Sequence, residues 1–508
     1  MGTDTQTAGS PAAVQLAETH LAELDPRVAR PAYDRSTVTA GIVHFGVGGF
    51  HRAHEAMYLD ALMNDGSALD WGLCGVGALP HDRRIIDTLK AQDGLYTLIV
   101  KHPDGRREPR VIGSIVELLF APDDPQAVVD RLVDERTRIV SLTITEGGYL
   151  VNQVTGEFDA DDPSIQADLA PGATPSTVFG YITAGLARLR DEGRDPFTVM
   201  SCDNLPDNGD VARRMICAFA RLKDPDLADW MEEHVAFPNA MVDRITPVTT
   251  PEDIERLRED FGVEDGWPVV CEPFTQWALE DRFGRGRPPF EDAGVQMVQD
   301  VVPFELMKLR LLNASHQALC YLGHLAGYRY AHEVCQDPLF ANFLLGYMEH
   351  EASPTLPPVP DVDLDAYRHQ LVARFANPEV RDTLARLCAE SSDRIPKWLV
   401  PVIGANLRDG GEIDRSALVV ASWARYAEGR DEQGEPIVVV DRLKDRVMAA
   451  AARHPQDPLA FIRDRDLFGD LADDERFAAA YTRALEQLHD LGARATLEAR
   501  SAADARPA

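Results

Sequence analysis

Five short apolar runs, each bounded by turn residues, constrain the first part of this chain: "GIVHFGVGG", "WGLCGVGAL", "YTLIVKH", "RIVSLTIT" and "FTVMSCDN". None alternates apolar with polar residues, as a strand with one wet face would. Continuous apolar runs of this length suit strands covered on both faces. Helix-like segments such as "AHEAMYLDALMNDG" and "DPQAVVDRLVDE" fall between them. That alternation predicts an α/β fold with a parallel, doubly wound sheet.

The texture changes near residue 300. "FELMKLRLLNASHQALCYLGHLAGY", "DPLFANFLLGYMEHEA", "LDAYRHQLVARFAN" and "EVRDTLARLCAES" are helical patterns with little strand signal. A chain of 508 residues has room for two or three domains. The expected division is a dinucleotide-binding domain over 1–298, preceded by an irregular arm, and a mostly α-helical domain over 299–508. The tail "ARSAADARPA" reads as disordered.

Charge and cysteines narrow the function classes. A formal net charge of −32 argues against nucleic acid or an anionic membrane as partner, since like charges repel. The seven cysteines are scattered, odd in number and free of any C-x-x-C pair, which fits reduced thiols and gives no structural zinc pattern. His51 and His54 lie close together, but no compact acidic or cysteine partner completes a ligand set, so no metal is expected. No apolar run reaches membrane-spanning length, and the start "MGTDTQTAGSPAAV" lacks a basic and a hydrophobic region. A cytoplasmic location is the expectation.

The run "GIVHFGVGGFHRAHEAMYLDAL" reads as a strand, a tight glycine turn and a helix, the arrangement that receives a dinucleotide pyrophosphate. Gly46 and Gly48 match the first two glycines of G-x-G-x-x-G, while His51 stands at the third position, so the fingerprint is incomplete. Asp82 is the candidate ribose-reading acid after the second strand, with Arg83 and Arg84 beside it leaving room for a 2′-phosphate. Asp203 and Asn204 end a strand, where open sheets bind ligands, although an Asx turn explains them equally. Glu146 after "TIT" is open to the same two readings.

In the helical half, "FELMKLRLLNASHQALCYLGHLAG" reads as a buried helix, yet carries Glu305, Lys308, Asn313 and His316. At about 100° per residue, with Lys308 at zero, His316 falls at about 80° and Asn313 at about 140°. Leu312, Leu319 and Gly323 share that arc, so the polar groups occupy no clean wet stripe. Lysine is scarce in this chain, being confined to Lys90, Lys101, Lys223, Lys308, Lys397 and Lys444. One inside an apolar helix is unlike routine surface decoration. The alternative is a snorkelling lysine with satisfied core polar groups.

Together, "HFGVGGFHRAH", "SCDNLPDNG", "FPNAMVDRITP" and "KLRLLNASH" resemble the polyol-specific long-chain dehydrogenase/reductase family, the mannitol dehydrogenase family, from about residue 40 to beyond residue 400. The resemblance implies a Rossmann-type N-terminal domain, a mostly helical C-terminal domain, and metal-free hydride exchange between a polyol and NAD by a monomer. It places the catalytic lysine on Lys308, oxyanion-binding asparagines on Asn204 and Asn313, and a substrate-positioning histidine on His316. Substrate contacts fall on Asp243, Arg386 and Arg394, with Lys397 a neighbouring competitor for the last. Glu146 and Glu305 take the proton-relay positions. The cofactor turn falls on Gly46, Val47, Gly48, Gly49, Phe50, His51 and Arg52, with Asp82 on the ribose.

On that resemblance the expected reaction is D-mannitol and NAD to D-fructose and NADH. A lysine whose pKa falls from about 10.4 toward roughly 7 to 8 on burial can take the hydroxyl proton. Two amide donors can hold the developing oxyanion without adding a titrating group. D-Arabinitol, sorbitol and a hexuronate remain alternative substrates. A zinc-dependent class lacks its cysteines here, and a short-chain reductase would need Tyr-x3-Lys, which is absent. A nucleotide-binding protein without catalysis would keep the glycine turn but lose the Lys308, Asn313 and His316 set.

Overall fold

A computed structural model describes residues 13–152 and 156–504. The chain forms two compact units, residues 1–301 and 302–508. The centre of the first is a five-stranded sheet of β1 (Ala40–Phe45), β2 (Gly72–Gly77), β3 (Ile115–Phe120), β4 (Ile139–Leu142) and β5 (Thr198–Ser201). Their spatial order is β3-β2-β1-β4-β5, every neighbouring pair parallel. This is the strand order of a Rossmann-type sheet, in which the order reverses between β1 and β4. Ligands of such sheets bind beyond the carboxyl ends of the strands at that reversal.

The apolar runs have no alternation because both faces are buried. Val43, Phe45, Cys74, Val76, Val140, Leu142 and Val199 pack with the helices Pro125–Leu132, Val178–Asp191, Asn208–Lys223 and Pro225–His234. Their strand neighbours Ile42, Leu73, Ile139 and Met200 enter a separate core with Leu59, Leu62 and Trp277. Successive side chains on a strand point to opposite faces, so each strand feeds both cores.

One of the five runs lies elsewhere. Tyr96–Lys101 pairs antiparallel with Arg107–Ile112 and parallel with Val269–Cys271, in its own three-stranded sheet. The turn in "HPDGRR", with Gly105 at φ 83°, makes a hairpin, which a crossover strand of the main sheet could not. A third sheet sets Gln276–Glu280 between Ala240–Asp243 and Gln296–Val298. The described part of the arm is anchored as well: Val14–Gln15 pairs with Val263–Glu264, and Leu16, Leu24 and Val28 are buried.

The second unit is helical. Ala314–Leu325 is buried on almost every side, against the helices Ala331–Gln336, Pro338–Tyr347, Leu384–Cys388 and Asp414–Ala427. A central helix of this kind is covered on nearly every side, which is why its sequence shows no wet stripe. The tail expected to be disordered is helical through residue 504, within Ala493–Asp504. The rest of it lies outside the described residues. Among the described residues, no helix is long and apolar enough to cross a membrane.

Candidate functional site

The sequence-derived candidates fall into two groups, one on each unit. In the first unit β1 runs into Gly46, whose φ of 97° favours glycine. A Cβ there would lie 2.1 Å from the Thr143 carbonyl oxygen, so the position is closed to any side chain. Gly48 is the opposite case: it is exposed, and a Cβ there would meet only the Gly46 carbonyl oxygen, at 3.9 Å. A close backbone approach to a pyrophosphate needs that vacant volume, so the turn fits a dinucleotide. The Gly46 carbonyl accepts from Gly48 N at 2.7 Å and from the Thr143 hydroxyl at 2.7 Å.

Two side chains expected on this turn point inward. His51 is buried beneath it, its Nδ1 3.2 Å from Glu55 Oε2. Arg52 is buried too, donating to the Trp267 carbonyl and lying over the Tyr96 ring. Val47 is buried as well, whereas Gly49 and Phe50 are half-buried. The surface of the turn is therefore backbone and Phe50, with Arg52 Nε donating from beneath to the Gly48 carbonyl at 3.3 Å.

Asp82 lies in the short turn Pro80–Asp82 just after β2, and its carboxylate accepts from the Leu79 N–H at 2.9 Å. It caps the start of that turn and stays partly exposed. Arg83 is paired with Asp123, and Arg84 lies over the Trp267 ring. The two arginines that could receive a 2′-phosphate are thus both engaged.

Beyond β4 and β5, the turns are tied together by Asp203. Its buried carboxylate accepts from Ile144 N at 3.1 Å, Thr145 N at 2.7 Å and the Tyr149 hydroxyl at 2.7 Å. Burial pushes this carboxyl up, against the pull of those donors. Thr145 has a φ of 64°, a costly conformation for a β-branched residue that the Asp203 bond helps hold. Glu146 follows within the helical turn Thr145–Gly148 and is exposed, as is Asn204. Asp243 ends the strand Ala240–Asp243 in a buried position. Its neighbour Arg244 donates to the carbonyls of Ala53 and Glu272, fixing the end of the first helix after the glycine turn.

The polar cluster beneath this turn left little trace in the sequence. His44 Nδ1 lies 2.7 Å from Ser141 Oγ and 3.0 Å from Glu55 Oε2. Its Nε2 lies 3.1 Å from the Gly46 carbonyl and 2.9 Å from Thr143 Oγ1. The His44 and His51 rings stack at 3.4 Å between centroids and 14° between planes. A histidine in the middle of an apolar strand run, and Glu55 one helical turn after His51, were the available signals.

In the second unit the expected continuous helix is interrupted. Val302–Met307 and Ala314–Leu325 are α-helical, but Lys308–Asn313 is a π segment. A π turn closes i→i+5 instead of i→i+4, so a residue five positions on returns closer to the face of the first. The wheel drawn at 100° therefore sets Asn313 too far from Lys308. Glu305, Lys308 and Asn313 are all buried. The His316 ring packs against Phe375 at 4.5 Å. Burial lowers its pKa to about 4, with Asp382 opposing and Arg386, Arg374 and Arg394 reinforcing the shift. His316 is thus neutral at neutral pH, and the two expected substrate arginines lie in its electrostatic surroundings. Arg386 is exposed and paired with Asp382, at 2.6 Å from Nε. Arg394 donates to the Leu387 carbonyl at 2.9 Å, while Lys397 is exposed.

A family model for the mannitol dehydrogenase Rossmann domain matches residues 40–292, and one for the mannitol dehydrogenase C-terminal domain matches 300–489. A mannitol 2-dehydrogenase of Phaeosphaeria nodorum is 47% identical over 491 residues, covering 96% of this chain and 86% of the relative. One from Aspergillus fumigatus is 48% identical over 474 residues, covering 92% and 94%. Among solved structures, Pseudomonas fluorescens mannitol 2-dehydrogenase in ternary complex with NAD and D-mannitol is 46% identical, with a TM-score of 0.83 over 96% of this chain and 100% of that one. A substrate-free D-sorbitol dehydrogenase is 38% identical, with a TM-score of 0.90 over 95% and 100%.

Proposed function

The chain belongs to the mannitol dehydrogenase family, and from that premise we propose that it oxidises D-mannitol to D-fructose with NAD, using a lysine base and no metal. The observation that carries this reading is the likeness, over nearly the whole chain, to mannitol 2-dehydrogenases, one of them solved with NAD and D-mannitol. Residues 1–298 then serve the dinucleotide and 299–508 supply the base.

The glycine turn from Gly46 to Arg52 receives the pyrophosphate on its backbone, and Asp82 accepts from the ribose hydroxyls. A bound NAD would supply the hydride acceptor. Lys308 takes the proton from the reacting hydroxyl, which an amine can do only in its neutral form. Asn204 and Asn313 donate to the oxygen as it gains charge. His316, being neutral, positions a hydroxyl without competing for the proton. Asp243, Arg386 and Arg394 hold the remaining hydroxyls, and Glu305 and Glu146 pass the proton outward.

A second substrate has an observation in its favour, the close fold of a D-sorbitol dehydrogenase. Sorbitol and mannitol differ at a single carbon, so few contacts need change between them. NAD reduction compared across D-mannitol, D-sorbitol, D-arabinitol and mannonate decides it. D-Mannitol should give the highest kcat/KM, and a higher value for any other would reassign the substrate.

A further inference from the structure

The π segment that carries Lys308 and Asn313 has a second one packed against it. Met348–Ala352 continues the helix Pro338–Tyr347 and is wound the same way, and the two wide turns lie against each other. A π turn shifts the backbone pairing by one residue and is rare in isolation, so something must hold it. In the first segment the diverted bond can be read directly. The Ala314 N–H donates to the Leu309 carbonyl, five residues back. In an α-helix that N–H would go to Arg310, so the Arg310 carbonyl loses its regular donor.

The donor that reaches this carbonyl comes from the second element. Tyr347, the residue before Met348–Ala352, places its hydroxyl 3.2 Å from the Arg310 carbonyl oxygen. Tyr347 is fully buried. Burial, with the Glu351 carboxylate nearby, pushes its phenol far above the usual range against the pull of Arg310, so it keeps its proton and donates. The Arg310 side chain is held from the same direction, its guanidinium donating to the Thr355 carbonyl just beyond the second segment. Carbonyl and guanidinium of Arg310 are thus both tied to one short stretch, residues 347–355.

That stretch is itself anchored. Glu351 is fully buried, and its carboxylate accepts from Arg415 N at 2.6 Å, Ser416 N at 2.7 Å and the Ser416 hydroxyl. Those groups open the helix Asp414–Ala427, whose first N–H groups favour a carboxylate. Asn406 donates to the Glu351 carbonyl at 2.8 Å, and the Thr355 hydroxyl to the Ala352 carbonyl at 2.6 Å. A core tyrosine that needed only a partner could use any carbonyl. This one meets the carbonyl whose donor the π turn has diverted.

We propose that Tyr347 is a positioning residue for proton transfer: its hydroxyl replaces the donor taken from Arg310 and so holds Lys308 and Asn313 in the wide turn. The proposal rests on the reading of Lys308 as base and Asn313 as oxyanion donor. A return to α winding would carry Asn313 away from the face of Lys308, and small misplacements of reacting groups lower rates steeply.

Steady-state kinetics on the full chain tests this. Tyr347→Phe keeps the ring and removes only the hydroxyl. It should lower kcat for D-mannitol about tenfold or more, while polyol KM and the NADH dissociation constant stay close to those of the unaltered chain. In a Lys308→Ala background the same change should lower kcat by much less, because its effect acts largely through Lys308. A role confined to the core would instead multiply the two losses, or lower kcat in step with the folded fraction seen by circular dichroism. Either result overturns the proposal. A crippled Lys308→Ala beside an unaffected Tyr347→Phe sinks the proposal alone, whereas full turnover in Lys308→Ala removes the base reading and the proposal with it. Should Tyr347→Phe fail to fold, Arg310→Met cuts the tie to Thr355 and keeps the apolar stem. It should show the same split, a lower kcat with polyol KM and NADH affinity held, and an unchanged kcat there overturns the proposal.

Discussion

The glycine turn after β1 and the Lys308–Asn313 segment both place polar groups in buried surroundings, and they do so by different means. Beneath the turn, His44, Ser141, Thr143 and Glu55 are linked by hydrogen bonds to one another and to the Gly46 carbonyl. In the second unit the backbone itself changes, a π segment lying between two α-helical stretches of one chain run. A hydrogen-bonded network of this kind suits a part that must hold one shape. A widened helical turn alters the faces on which Lys308 and Asn313 stand, at some cost in helix regularity. The contrast teaches where each kind of substitution should hurt: affinity for the cofactor on one side, proton transfer on the other.

The largest expected effect is at Lys308. Lys308→Ala should lower mannitol turnover by about 10²- to 10⁴-fold, the usual range for a positioned proton-transfer group. NADH affinity should hold. Oxidation by the unaltered enzyme should decline as pH falls, because an ammonium cannot accept a proton, and the variant should lose that step. His316→Ala should keep it, since burial leaves His316 with a pKa of about 4 and it is already neutral across the working range. A step that survives in Lys308→Ala and vanishes in His316→Ala would transfer the base to His316.

The two asparagines come next. Asn204→Ala and Asn313→Ala should each lower kcat by about 10²- to 10³-fold, with less change in polyol KM, if both donate to the same developing charge. Their surroundings separate them in a second measurement. Asn204 is exposed and Asn313 closes the buried π segment. Tm should fall in Asn313→Ala and stay put in Asn204→Ala. A pure KM effect in both would make them ground-state contacts.

The two regions were unequally legible in the sequence. Apolar runs without alternation pointed to the doubly covered sheet, because burial on both faces leaves a composition signal. "YTLIVKH" carried the same signal into a different sheet, since a run of apolar residues does not record its partner. Lys308, Asn313 and His316 stood out through residue type and spacing, yet the π segment did not, because i→i+5 closure has no residue signature. Under the turn the reverse held. "HFGVGG" announced a turn, while Glu55 and Ser141 were invisible as partners of His44, being brought to it by the helix after the turn and by a strand 97 residues away.

A smaller effect is expected at Asp82. Its carboxylate caps the turn after β2 and stays partly exposed, so it can also accept from a ribose and repel a 2′-phosphate. Asp82→Ala should narrow the NAD-over-NADP preference and cost about 0.5–1.5 kcal/mol of stability through the lost hydrogen bond to the Leu79 N–H. Arg83 is paired with Asp123, so the variant should not reach a preference for NADP. Equal kcat/KM for both cofactors in the unaltered enzyme would remove Asp82 from the ribose.

The smallest expected effect is none, and it bears on the same contrast. Among the described residues, His44, His51 and Glu55 are the one group with metal-ligand potential, and they lie in the network beneath the turn. Imidazole donates to a metal along its ring plane, at about 2.0–2.1 Å for zinc. Rings stacked 3.4 Å apart and only 14° from parallel aim their lone pairs side by side, not at a common point. Both Nδ1 atoms are also committed to Glu55 Oε2. A metal would have to break the stack, displace Ser141 and release Gly46 together. Dialysis against a strong chelator should therefore leave both NADH affinity and turnover unchanged. Lost turnover restored by zinc would replace Lys308 with a metal as the source of the base, and lost NADH affinity restored by zinc would make the cluster a metal centre.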